Sequence, residues 1–210
     1  MDWAEQAEAA IARYRGGETR ELDQRQLTQL GNAAWAAGLS LLMAGRRDEA
    51  ADWLRIAACR YRESWQDAPP DSWGRPIAAM KALVLAGDDA SDAGRWTLGA
   101  GARDAGSPIG RYAGALALLV LGEDADARAL GSTLCDRDDF PPAVADAIVA
   151  LAAGDLTAYA LAIEAVLASF EERADFLEDA RVADTVLVLQ LFAAKRDAAI
   201  DLPQSELLPS

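Results

Sequence analysis

Carboxylates are the main side chains that could do chemistry in this chain, because their usual catalytic partners are missing. None of the 210 residues is a histidine, which removes Ser-His-Asp and Cys-His nucleophilic arrangements at the outset. Cys59 and Cys135 are far apart and form no CxxC pair, so no structural zinc site is expected and a reduced cytosolic setting is the simplest reading. The run CDRDDF, Cys135 to Phe140, sets three aspartates close together. It lacks the turn glycine and distal glutamate of a calcium loop, and reads as a solvated loop ahead of Pro141. LGAGARDAGSPIG, Leu98 to Gly110, is glycine-rich and leads into a helix N-terminus, a geometry that can hold phosphate. It follows no strand and carries no P-loop lysine, so a flexible interhelical loop is expected. Carboxylate pairs such as Glu171 with Asp175 are what any acidic helix surface supplies. No catalytic, metal or cofactor constellation emerges, and the chain is expected not to be an enzyme.

Binding chemistry has more to work with. Trp65 and Trp73 flank the turn QDAPPDS, and Arg75 follows closely. Aromatic rings and arginine are enriched at interface hot spots, so the three form a candidate contact patch. The other reading is that both rings pack the ends of neighbouring helices. The formal net charge is −14. Such a surface repels nucleic acid and anionic membranes and attracts a cationic partner; alternatively it serves solubility alone. Nearly all the positive charge is arginine, Lys81 and Lys195 being the only lysines.

The elements that position these residues read as helices. Hydrophobic residues make up 52% of the chain and aromatics only 7%; alanine and leucine dominate and β-branched runs are scarce, which favours helix. MDWAEQAEAA at the N-terminus has no basic or apolar leader region, so no signal peptide is expected. YAGALALLVLG and VLVLQLFAA are too short to span a bilayer and read as buried helices. Glycine stops each apolar run, while proline, aspartate or serine starts the next. Asp2 is expected to cap a first helix to about Arg15. A second runs from about Glu21 to Ala44, and a third, capped by Asp48, reaches about Gln66 before Pro69 and Pro70 forbid continuation. Further helices are expected after Asp71 or Ser72 to Gly87, around DASDAGRWTLG, from Ser107 and Pro108 to Gly122, over DADARALGSTL, from Pro141 to Gly154, and from Asp155 to about Arg173. The last is expected over DARVADTVLVLQLFAAKR, Asp179 to Arg196. Trp35 and Trp53 fall in apolar-periodic helix and are expected in the core.

Gly45, Gly87, Gly122 and Gly154 each end an apolar helix and are followed at once by charged residues and a second helix, at intervals of 42, 35 and 32 residues. That recurrence predicts an all-α fold of antiparallel helical hairpins stacked as an irregular array, with residues 1–200 as one domain and 201–210 as an extended tail. Ala34 to Ala57 resembles one tetratricopeptide motif: Gly38, Gly45, Ala50, Leu54 and Ala57 fall on its small, turn and large apolar positions. Arg62 stands where that motif usually has proline, and around Gly122 only the glycine and Ala127 match.

FEERADFLEDARVADTVLVLQLFAAKR and the following LPQSELLP resemble the polymorphic-toxin immunity protein 49 family. Phe170 to Arg173, Phe176 to Asp179, Ala183 to Gln190 and Leu207-Leu208-Pro209 carry the likeness, and GRRDEAADWLRIAA and the turn at Trp73 fit it. The resemblance implies an all-α cytoplasmic immunity protein made beside a toxin. It would bind that cognate toxin and occlude its active site, acidic side chains meeting a basic surface. The expected contacts are Glu171, Glu172, Glu178, Asp179 and Asp184, together with Trp65, Trp73 and Arg75. Asp184 has a second reading, as a capping or hairpin-locking residue at the head of an apolar helix. The alternative function is a tetratricopeptide-like adaptor holding a peptide in a groove lined by Asn, Arg and Lys; Asn32 is the only asparagine. Neither reading involves nucleic acid, membrane or cofactor. An unpaired apolar face on a terminal helix would favour a homodimer.

Overall fold

Capping residues set where the helices begin. In the computed structural model, which describes residues 2–19 and 21–209, Asp2 accepts hydrogen bonds from the backbone N–H groups of Ala4 and Glu5 and starts α1, Trp3–Gly17. Ser210, the last residue of the expected tail, lies outside the described residues, as do Met1 and Arg20. Asp23 opens α2, Gln24–Met43, through a reciprocal capping box with Gln26. The remaining helices are α3 (Arg47–Ser64), α4 (Gly74–Leu85), α5 (Ser91–Gly99), α6 (Pro108–Leu121), α7 (Asp124–Cys135), α8 (Pro142–Ala153), α9 (Leu156–Glu171) and α10 (Asp184–Ala194), with single 3-10 turns at Ala102–Asp104 and Leu177–Asp179. Ser107 and Asp155 cap α6 and α9 as expected. Gly45, Gly87, Gly122 and Gly154 all have positive φ, between 69° and 77°, the left-handed conformation in which glycine closes a helix without a Cβ clash. The fold is all-α. Among the described residues there is no strand, and no helix is long and apolar enough to cross a membrane.

The chain divides into two compact units built from interleaved segments. The first comprises Met1–Asp88, Arg173–Asp184 and Gln204–Ser210. Here α1, α2, α3 and α4 pack each against its neighbour in sequence. Gly31 lies against the Tyr61 ring and Gly38 against Leu54, a register that runs α2 and α3 antiparallel. A Cβ on Gly38 would sit 2.6 Å from Leu54 Cγ, so glycine is what permits this crossing. Trp35 is buried. Trp53 is half-buried against the cluster of Ala7, Leu41 and Ala50, with its ring edge-on to Tyr14 at 5.2 Å. The tail enters this unit through Leu207, which is buried and whose carbonyl accepts from the Ala183 N–H at 3.0 Å.

The second unit comprises Asp89–Glu172 and Thr185–Pro203. Helices α5 to α9 again pack in sequence order. Gly114 lets α6 approach the backbone of Ala102, and Gly131 lets α7 approach Ile148 and Val149 of α8. Arg196 grips Asp124 at 2.5 Å and also donates to the Leu119 carbonyl in the last turn of α6, where carbonyls lack intrahelical partners.

Two helix expectations are corrected, and one loop gains a turn of its own. The cap of α3 is Arg46, without a side-chain cap bond; Asp48 sits inside the first turn with Glu49, where both carboxylates oppose the positive end of the helix dipole. Within the expected loop Leu98–Gly110, Gly101 turns left-handed and Ala102 opens a single 3-10 turn; Ala102 and Ala105 are buried while Gly99, Arg103, Asp104 and Gly106 are exposed. The last helix begins at Asp184 and ends at Ala194, well inside the expected span. Glu178 and Asp179 adopt left-handed φ of 54° and 59°, and Ala183 spends its N–H on the tail, so the helix cannot form upstream.

Candidate functional site

The turn that joins α3 to α4 brings Trp65 and Trp73 together, ring centroids 5.5 Å apart and tilted by 43°. Pro69 and Pro70 end helical propagation there, and Asp71 reverses the chain with a φ of 60°. Trp73 is 6% exposed, and its indole N–H donates to the Asp71 carboxylate at 3.0 Å. Trp65 is half-buried beside it. Of the two rings, only Trp65 offers appreciable area to a partner.

Arg75 is oriented by α2 and not by the tryptophans. Its Nε donates to Thr28 Oγ1 at 3.1 Å and its Nη2 donates to Gln24 Oε1. Nη1 is shielded from water and has no acceptor among the described residues. Burial pushes the guanidinium pKa below its ordinary value, the direction expected when a cation is desolvated without a counter-charge. Arg75 and Arg25 both line a groove of about 580 Å³ between α2 and α4, which Tyr61 and Leu177 also border. Tyr61 donates its hydroxyl to Asn32 Oδ1 at 2.9 Å. Burial, with the Glu178 and Asp184 charges, pushes that hydroxyl's pKa well up, so it stays a neutral donor.

The acidic residues at the C-terminal end divide into two kinds. Glu178 and Asp184 are engaged within the first unit. Glu178 meets Arg13 Nε at 3.2 Å. Asp184 accepts from Lys81 Nζ at 2.8 Å, with side chains only 19% and 10% exposed. The Asp179 backbone carbonyl accepts from Gln6 Nε2 at 2.7 Å, while its side chain is exposed. Glu171 and Glu172 close α9 in the second unit and are both exposed. They add charge at the negative end of a helix dipole, a placement that concentrates negative potential.

Lys81 and the polar face of α2 are absent from the residues that the sequence singles out as contacts. Gln24, Thr28 and Asn32 recur every fourth residue, and Arg25 and Gln29 repeat the spacing one position on. On a helix that spacing makes one polar stripe, a signal present in the sequence but masked by the stronger apolar pattern. Among the described residues no group of three or more Cys, Asp or Glu side chains is placed to hold a metal ion.

Comparison of the chain with protein-family models, with curated proteins and with solved structures finds no match.

Proposed function

We propose that this chain is a non-catalytic immunity protein that binds a cognate bacterial toxin in the cytoplasm and neutralises it by covering the toxin's active site. The observation that carries the reading is charge. The chain bears a net −14, and exposed carboxylates such as Asp179 in one unit and Glu172 in the other are available to a partner. A toxin acting on a polyanion presents a basic surface, and opposite potentials speed the encounter and reject wrong partners. The likeness of Phe170–Arg173 and Ala183–Gln190 to immunity proteins supports the same reading.

Co-expression with any toxin-domain gene found upstream or downstream of this chain's own gene tests it, with cell survival and co-purification as readouts. Survival with a one-to-one complex that loosens as salt rises is the expected result. Continued killing with no complex, across the neighbouring toxin domains, would sink the reading. A second reading, a tetratricopeptide-like adaptor, is favoured by one observation: Asn32 and two arginines line a single groove beside α2. It predicts complexes with short peptides in the absence of any toxin.

A further inference from the structure

We infer that the groove along α8, between α7 and α9, is the docking site for a basic amphipathic helix of a partner protein. Which protein carries that helix rests on the immunity reading; the surface itself belongs to the second unit alone. Helix α9 has a face to spare. Tyr159, Ile163, Val166 and Phe170 are buried, whereas Thr157, Leu161, Glu164, Ala165, Ala168 and Glu172 are all exposed. Steps of three and four residues place the exposed six on one side of the helix. Its middle is apolar. Leu161 is 68% exposed, more than any other large hydrophobic side chain among the described residues. It borders a groove of about 630 Å³, and apart from Arg128, Asp146 and Asp155 every side chain that lines the groove is apolar. Apolar surface gathered in one concave place favours a partner that takes it out of water.

The shape calls for a helix. Helix α8 packs against both α7 and α9, and Pro142, Asp146, Val149 and Ala153 run along its groove side at helical spacing. A further helix fits on such a row by the ridge-and-groove packing that α7, α8 and α9 already use. An extended peptide would need amide groups to grip its backbone, and no Asn or Gln lines the groove. Charge sets the partner's sign. Asp146 and Asp155 line the groove, and Glu164 and Glu172 extend the negative charge along the exposed face of α9, whose C-terminal dipole has the same sign. Arg128 opposes them at one end only. Gly131 packs against Ile148 and Val149 while Cys135 faces Asp146, so α7 runs antiparallel to α8 and Arg128 lies toward the Gly154 turn, the end that Asp155 also occupies. At the other end Asp146 is the charged lining residue, and it is exposed, within reach of a partner's lysine or arginine. A second copy of this chain would set these acids against themselves and add another −14 of charge.

Fluorescence anisotropy of labelled synthetic peptides titrated with the full chain tests this. The first peptide, about 18 residues long so that a helix can form, carries leucine at every third and fourth position and lysine elsewhere. The second replaces its lysines by glutamate, and the third shuffles the lysine peptide so that no apolar stripe remains. The first is expected to bind about tenfold more tightly than either control. Leu161→Asp is expected to weaken it about tenfold. That change adds an acid, so charge alone predicts tighter binding, and a loss reads the apolar contact. The exposed pair Glu164→Gln, Glu172→Gln should weaken binding about threefold and flatten its dependence on salt. Should Leu161→Asp fail to fold, Ala165→Glu on the same exposed face takes its place. Equal binding of the shuffled peptide, equal or tighter binding of the acidic one, no binding of any peptide at high micromolar concentration, or undiminished binding to Leu161→Asp would each overturn the assignment. So would a dimer of the chain that Leu161→Asp dissolves, since a second copy would then be the occupant. None of these readouts involves a toxin, so failure here is distinct from failure of the immunity reading.

Discussion

Lys81 and Asp184, 103 residues apart in sequence, form an ion pair at 2.8 Å in a largely water-excluded part of the first unit. Of the two readings that the sequence leaves open for Asp184, the lock between distant segments is the one this contact expresses. It ties α4 to the segment that leads into α10, and it keeps Lys81, the one buried lysine of the described residues, from being an uncompensated charge.

Removing one partner of this pair should therefore cost more than removing both. Asp184→Ala removes the carboxylate that faces the Lys81 ammonium and is expected to destabilise the fold by about 3 kcal/mol, whereas the double change Lys81→Met, Asp184→Leu should recover most of that. Urea denaturation of the three variants checks it. A double variant as unstable as the single one would mean that the ion pair itself carries the stabilisation.

Gly38 governs the closest approach of α2 and α3. A methyl group there would meet Leu54 Cγ at 2.6 Å and the Ala50 carbonyl at 3.3 Å. Overpacking of roughly 1–3 kcal/mol should outweigh the gain of about 1 kcal/mol in helix propensity, so Gly38→Ala lowers the melting temperature. Gly16→Ala is the control, because a Cβ at Gly16 meets nothing within 4 Å and only the propensity gain applies. Melting curves that move together would refute the close approach.

Acid stability should carry a signature of Arg55 and Asp88. Two guanidinium N–H bonds, 2.7 and 2.9 Å long, hold the Asp88 carboxyl below its ordinary value of 3.8. A depressed folded-state pKa stabilises the fold above the unfolded value, and that contribution disappears as pH falls through the folded one. Arg55→Gln should thus lose a small amount of stability at neutral pH, since the pair is largely screened by solvent, and the gap should close in strong acid. A gap that persists at pH 2 would assign the loss to packing of the Arg55 stem.

The two cysteines should differ in reactivity. Cys59 is exposed. Cys135 donates weakly to the Gly131 carbonyl at 3.7 Å, and burial, with Asp146 nearby, pushes its thiol pKa up, so less of it is thiolate at pH 7.5. A disulfide reagent should label one thiol quickly and the other slowly, and Cys59→Ser should abolish the fast phase. Retention of that phase would show that Cys135 is the accessible thiol.

Much of the fold was legible because helix ends are local events. Gly45, Gly87, Gly122 and Gly154 announce their left-handed turns wherever the rest of the chain goes, and Asp2, Ser107 and Asp155 find their cap partners within three residues. The expected binding residues were less legible. Trp65 and Trp73 share a turn, yet whether a ring faces solvent depends on what packs behind it, and Trp73 proved to be buried. Glu178 and Asp184 look like free acids until Arg13 and Lys81 are placed beside them.

By its own order of residues, the chain determines an acidic, histidine-free, all-α protein whose helices start and stop at identifiable caps and breakers, because those choices are settled by hydrogen bonds within one turn. Tertiary structure decided the rest. The tail's Leu207 carbonyl claims the Ala183 N–H and delays α10. Lys81 reaches Asp184 across 103 residues, and α2 orients Arg75 beside a groove with no acid of its own. Each depends on groups distant in sequence, and their meeting is fixed by the packing of whole helices.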